Sequence, residues 1–146
     1  MISSEDLDRL NLPWSYVDQV KLRLHEPLIV NTDLSGGPGV HWIVLVKLRH
    51  GIVYMYDPLG PKNRLVDHYG RSVRGYIHAN REYPYDTQID STSHCGYFAI
   101  FVARLIQGLP ELTPTNITKA IEANFGRTAD WGDVRRMWKE VQKELA

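Results

Sequence analysis

Three short runs of apolar, β-branched and aromatic residues lie in the first half of the chain and are separated by polar, glycine-containing segments. The runs are PLIVN at 27–31, VHWIVLVKL at 40–48 and GIVYMYD at 51–57. Runs of this length and composition, bounded by turn-forming residues, predict three β-strands. Because only a few residues separate the second run from the third, we expect these two strands to form a hairpin.

The second half of the chain has helical spacing instead. The segment SHCGYFAIFVARLIQG at 93–108 is apolar almost all round, which is typical of a helix buried at the centre of a domain. Two further helices are predicted at 116–126 and 130–146, the first ended by Gly126 and the second begun by Asp130.

Weaker patterns occupy the remaining segments. SSEDLDRL at 3–10 begins with the spacing of a helix cap, and apolar residues recur at helical intervals within 13–24, so we predict two short helices before the first strand. Residues 63–77 have weak helical spacing, and a short strand is expected near YDTQI at 85–89.

The composition is that of one globular domain, residues 1–146, and the order of elements predicts an α+β fold. The chain is 43% apolar, and helices at both ends would flank a small antiparallel or mixed sheet packed against the central apolar helix. Seventeen basic and seventeen acidic residues cancel, so a nucleic-acid partner would need a local basic patch. No apolar run approaches the ~20 residues that span a bilayer, and the N-terminus is acidic, so we expect a protein that is neither membrane-bound nor secreted.

A histidine and a carboxylate lie at the open end of the predicted hairpin. If the turn is centred near Arg49, His41 and Asp57 stand at the same level of the ladder and on the same face. A carboxylate placed there would hold one tautomer of the imidazole and stabilise its charged form. Asp57 could also be a plain turn former, because DPLG is good turn chemistry.

The single cysteine, Cys95, falls in the first turn of the apolar helix, where unpaired N–H groups and the helix dipole favour a thiolate. Gly96 would leave room for a substrate carbonyl, the amide of Cys95 could donate to an oxyanion, and Gln88 could add a side-chain donor. Taken alone, Cys95 could equally be a small core residue. Gln88 could merely end a strand, with Thr87 or Asp90 in the polar role.

Taken together, three motifs resemble the adenain family, the adenoviral maturation proteases, and more broadly the papain-like clan that includes proteases of ubiquitin-like proteins. The motifs are IVN…GGPGVHW, YMYDPLG and Q…STSHCGYFAIF, within residues 28–106. The resemblance implies a papain-like fold and a cysteine endopeptidase, that is, a thiol protease. It also implies the roles of four residues: general base His41, orienting acid Asp57, oxyanion-hole side chain Gln88 and nucleophile Cys95.

The resemblance further implies polypeptide substrates, namely viral capsid or core precursors cut after small residues, often Gly, during virion maturation. The protein would then act as a monomer in the virion or the interior of the infected cell, without a metal or organic cofactor. An activating peptide and DNA stimulate the adenoviral enzymes. Because this chain has no second cysteine, tethering of a peptide by a disulfide is excluded, and its zero net charge provides no general attraction for DNA.

Three alternative functions remain open on the sequence. A protease for ubiquitin-like modifiers would use the same four residues and also cut after Gly-Gly. An acyltransferase of the same clan would need a basic pocket for the phosphates of acetyl-CoA, which the sequence does not indicate. A binding module without activity would have no need for all four residues. No spacing of His, Cys and Asp favours a metal site.

Overall fold

The computed structural model describes residues 1–88 and 94–146. Within these ranges the helices are α1 (Ser4–Arg9), α2 (Cys95–Gly108), α3 (Pro114–Phe125) and α4 (Trp131–Leu145). The strands are β1 (Trp14–Tyr16), β2 (Leu28–Asn31), β3 (Trp42–Lys47), β4 (Val53–Tyr56) and β5 (Arg81–Glu82). The chain therefore has the mixed α and β content that its sequence predicts.

The five strands form one mixed sheet in the order β1-β2-β3-β4-β5. The three central strands are antiparallel neighbours, whereas each outer strand pairs in parallel with the strand beside it. The predicted hairpin of β3 and β4 is confirmed, with a turn at Arg49–Gly51. His50 takes a left-handed conformation in this turn, with φ of 62°.

One face of the sheet packs against α2, which lies at the centre of the main core. The sheet contributes Ile29, Val44 and Tyr56 to this core, and Phe98 of α2 is fully buried against Phe125 of α3, with ring centroids 5.4 Å apart. Helices α3 and α4 cover the other side of α2. The all-round apolar pattern of α2 follows from contact with the sheet on one side and with helices on the other.

The opposite face of the sheet is covered by the long segment between β4 and β5. Leu65, Val73 and Ile77 from this segment are buried against Ile43 and Met55 of the sheet. This segment contains no helix, so the helix predicted at 63–77 is wrong.

Three helix ends agree closely with their sequence signals. Ser3 and Asp6 form a reciprocal capping box at the start of α1, and Asp130 and Asp133 form another at the start of α4. Gly126, with φ of 63°, ends α3 as expected. None of the helices in the described ranges is long and apolar enough to cross a bilayer, the longest having 15 residues.

The helix predicted within 13–24 is wrong. Residues 14–16 form a strand that pairs with Ile29–Asn31, and Val17–Gln19 adds one short 3₁₀ turn. Parallel pairing with β2 satisfies the backbone there, which local spacing cannot anticipate. The strand expected near 85–89 is also displaced, since β5 is Arg81–Glu82. Residue 89 lies outside the described residues.

Candidate active site

The structure places three predicted site residues at the ends of different elements and the fourth in the segment after β5. His41 directly precedes β3, Asp57 directly follows β4, Gln88 lies after β5, and Cys95 is the first residue of α2. Their exposed fractions are 8% for His41, 1% for Asp57, 3% for Gln88 and 6% for Cys95. Three titratable side chains thus lie in a largely water-excluded region, where a polar group needs a partner.

The imidazole of His41 is held by the carboxylate of Asp57, with Nε2 and Oδ1 2.6 Å apart. A carboxylate only accepts hydrogen bonds, so Nε2 carries the proton and Nδ1 is left for another partner. Asp57 also accepts hydrogen bonds from the backbone N–H of Leu59, at 2.9 Å, and from Nδ2 of Asn63, at 3.0 Å. These three donors fix the orientation of the carboxylate. Asp57 is therefore more than a turn former.

The contact between His41 and Asp57 arises differently from the prediction. The predicted pairing required Trp42 to lie opposite Tyr56, but the register places Val44 opposite Tyr56, because the turn is centred one residue later than Arg49. His41 and Asp57 are consequently not partners in the ladder. Their side chains converge from positions just beyond the two strands.

The thiol of Cys95 and the imidazole of His41 lie close enough to shift each other's pKa. Burial would raise the pKa of the Cys95 thiol, but the neighbouring imidazolium of His41 and the N–H groups of Trp42 and Gly96 outweigh it and lower the pKa. Burial likewise opposes charging of His41, yet Asp57 and Cys95 together raise its pKa to about 9. Both shifts favour the form of the pair in which Cys95 is a thiolate and His41 an imidazolium.

The segment that carries Gln88 is held in place by hydrogen bonds to residues on both sides of it. The Gln88 N–H donates to the carbonyl oxygen of Pro58, at 2.9 Å, which ties it to the residue after Asp57. The hydroxyl of Thr87 lies 2.5 Å from that of Tyr56, and the Thr87 carbonyl oxygen accepts from Ala129, at 2.9 Å.

These contacts help to decide whether Gln88 or one of the alternatives, Thr87 and Asp90, is the side-chain donor of the site. The hydroxyl of Thr87 is fully buried and engaged by Tyr56, so Thr87 holds the segment in place rather than facing a ligand. Asp90 lies outside the described residues. Gln88 remains the candidate donor, at the same end of the sheet as Asp57.

A cleft of about 400 Å³ opens beside His41 and Cys95. Its lining comes from the N-terminal residues 1–4, the loop that precedes His41, and the segment after Asp57. A cleft of this size holds a few residues of an extended peptide, whether free or the tail of a folded protein.

Gly96 has another role than the one expected from the sequence. A Cβ at Gly96 would lie 2.5 Å from Cβ of Ile2, so the missing side chain makes room for Ile2 rather than for a substrate carbonyl. Ile2 is buried, and its carbonyl oxygen accepts a hydrogen bond from Nε1 of Trp42, at 3.0 Å. Trp42 is buried in the core.

Two contributors to this site were not found from the sequence. Asn63 supports Asp57 from a segment without regular structure, and Ile2 covers Gly96 from 94 residues away in sequence. No periodicity or motif marks either residue. Among the described residues, no group of three or more His, Cys, Asp or Glu side chains could hold a metal ion.

The lowered pKa of the Cys95 thiol leads to a prediction for its alkylation by iodoacetamide. Because the thiolate is the reactive form and the pKa of Cys95 is lowered, the pH midpoint of alkylation should lie below that of the same chain unfolded in guanidinium. The single cysteine makes the mass increase of the intact protein a measure of this thiol alone. A folded midpoint at or above the unfolded value would contradict the proposed pairing with His41.

Comparisons with known proteins do not assign this chain. A scan against models of protein families finds no match, and a search of curated proteins finds none either. What the chain does has therefore to be inferred from its own residues and their geometry.

Proposed function

We propose that this protein is a cysteine endopeptidase of the adenain type, with a papain-like fold. The observation that carries the proposal is the buried pair of His41 and Asp57, with Nε2 and Oδ1 2.6 Å apart, on the same cleft as the Cys95 thiol, whose pKa His41 lowers. A nucleophile, a base and a third group that orients the base are the constellation that covalent hydrolysis of amides requires. The order of the residues along the chain, His, acid, Gln, Cys, also resembles this family.

Catalysis begins with the thiolate of Cys95 and the imidazolium of His41. The sulfur attacks the carbonyl carbon of the scissile peptide bond, and the carbonyl oxygen becomes an oxyanion. The N–H of Cys95 and the side-chain amide of Gln88 donate to that oxyanion. The imidazolium then protonates the leaving amine, which departs and leaves a thioester.

The second half of the reaction returns the sulfur to its starting state. His41, now neutral, accepts a proton from water as the water oxygen attacks the thioester carbon. The intermediate collapses, the carboxylate product leaves, and the thiolate–imidazolium pair is restored. Throughout, Asp57 keeps the ring in one tautomer and stabilises its positive charge.

The cleft suits an extended polypeptide substrate. Its lining includes Pro38, Gly39 and the N-terminal residues 1–4, and the resemblance to the adenain family favours small side chains near the cut. Structural precursors of a virus, cut after small residues that include Gly during virion maturation, fit this chemistry. Such substrates would meet the protein inside the virion or the infected cell.

The test is to incubate the protein with a library of peptides and with folded ubiquitin-like modifiers, and to sequence the new termini. We expect cleavage of peptides after small residues, and none by protein first alkylated with iodoacetamide. A strong preference for the folded modifier over a short Leu-x-Gly-Gly peptide would instead assign the modifier-specific protease. Normal alkylation of Cys95 without cleavage of any substrate would overturn hydrolysis itself.

A further inference from the structure

We propose that the side-chain amide of Asn31 binds the main chain of the substrate, by donating a hydrogen bond to a peptide carbonyl oxygen in the cleft. The inference rests on the proposed function, and it concerns a residue outside the four discussed above. Asn31 is the last residue of β2 and lines the same cleft as His41 and Cys95.

The orientation of the Asn31 amide is fixed by two hydrogen bonds. Its Oδ1 accepts from the backbone N–H of Asp33, at 2.9 Å, and from that of Val40, at 3.1 Å. Two donors on one atom identify that atom as the oxygen, so the nitrogen Nδ2 must point the other way. The oxygen thereby holds both ends of the loop that leads into His41.

The nitrogen of this amide has no such partner. Asn31 is 5% exposed, and its Nδ2 donates no hydrogen bond within residues 1–88 and 94–146, although it retains contact with solvent. This donor is thus available to a ligand in the cleft that offers an oxygen acceptor.

Gly39 keeps the amide nitrogen accessible. Its φ is +91°, and a Cβ on Gly39 would lie 3.0 Å from Nδ2 of Asn31. The position of Gly39 is itself fixed, because its N–H donates to Oδ2 of the buried Asp33, at 3.0 Å. The loop therefore presents bare backbone beside the donor, which suits close approach of another main chain.

The charge around Asn31 favours a neutral acceptor over an anion. Asp33 is fully buried next to it, and its carboxylate is held by His68 Nδ1, at 2.7 Å. Asp57 supplies a second buried carboxylate in the same region of the fold. Among the described residues that line the cleft there is no Lys or Arg side chain to pair with a carboxylate or phosphate, whereas the carbonyl of a peptide bond needs only a neutral donor.

The test is Asn31→Asp, which keeps an oxygen for Asp33 and Val40 but replaces the N–H donors with a second oxygen. We expect kcat/KM for the best peptide to fall at least tenfold, chiefly through a higher KM, because binding to the ground state is affected. Asn124→Asp makes the same chemical change at an exposed position on α3 and serves as the matched control. Iodoacetamide alkylation of the Asn31→Asp protein should stay within about threefold of wild type, since that small reagent needs no main-chain contact.

A second measurement identifies the acceptor, and its first part needs only the wild-type protein. Peptides in which single carbonyl groups are reduced to CH₂ are compared in the wild-type protein. One position should lose at least tenfold in kcat/KM, and Asn31→Asp should add little to that loss, since both changes remove the same bond.

Three results would overturn the role of Asn31 without touching the proposed function. The first is an equal kcat/KM for Asn31→Asp and wild type. The second is a kcat/KM that no carbonyl replacement in the peptide lowers. The third is a loss for the variant with the modified peptide that equals the sum of the two separate losses in free energy. If the wild-type protein cleaves no peptide at all, it is the proposed function that fails.

Discussion

Replacing Cys95 with alanine is expected to lower kcat/KM for peptide cleavage by at least about 10⁴-fold, since no other nucleophile is present to form the thioester. Cys95 is the only cysteine of the chain, so no second thiol can substitute for it. Cleavage is followed with the best peptide from the library by separating the products and measuring initial rates.

The fold should survive this change. Alanine retains the helix propensity needed at the first residue of α2, and only one sulfur atom leaves a site that is 6% exposed. The thermal midpoint of unfolding is therefore expected to move by less than about 5 °C. Residual cleavage above a hundredth of the wild-type rate, in a protein that is folded, would exclude Cys95 as the nucleophile.

Asp57→Asn should have the second largest effect, lowering kcat/KM by about 10²-fold or more at pH 8. The amide can keep an oxygen towards His41 and the N–H of Leu59, and the Asn63 side chain can turn to accept from its NH₂ group. Geometry is thus largely retained while the negative charge is lost. The imidazolium then lacks its main stabilising partner.

The direction of the accompanying pH change follows from the pKa of His41. The folded protein holds this pKa at about 9, above the ordinary value of 6.5, so the imidazolium persists until the pH passes about 9. Without the charge of Asp57 the pKa must fall, and the alkaline limb of kcat/KM should move to lower pH.

A matched control for this variant is Asp8→Asn, an exposed carboxylate that would keep an oxygen for Nε1 of Trp14. Its rate and its alkaline limb should equal those of wild type. If Asp57→Asn retains the wild-type alkaline limb, Asp57 does not support the charge of His41.

The sequence predicted those helices whose ends are set by capping residues or whose burial shows in their own apolar pattern. The capping residues Ser3 and Asp130 place the starts of α1 and α4, and Gly126 ends α3. The apolar surface of α2 reflects burial on both sides. In contrast, Trp14 and Val17 share helical spacing but belong to a short strand and its following turn, because pairing with the distant β2 decides their conformation.

Those residues of the candidate site whose side chains are themselves reactive or ionisable could be predicted from the sequence. His41, Asp57 and Cys95 could be named because imidazole, carboxylate and thiol are distinctive groups at element ends, and the structure brings them together. The reason given for the contact between the first two was wrong, since the ladder register depends on a turn that differs by one residue. Asn31 and Asn63 could not be found, because an amide acquires its role only from neighbours supplied by the fold.

The packing of Ile2 against Gly96 affects where an affinity tag can be attached to the protein. Ile2 is buried beside the nucleophile while Met1 is 88% exposed at the rim of the cleft, so any polypeptide joined before Met1 leaves from the mouth of the site. Such an extension would be held at high effective concentration near Cys95, where it competes with added peptides or is itself cut. An affinity tag is better attached at Ala146, which is exposed and does not line the cleft.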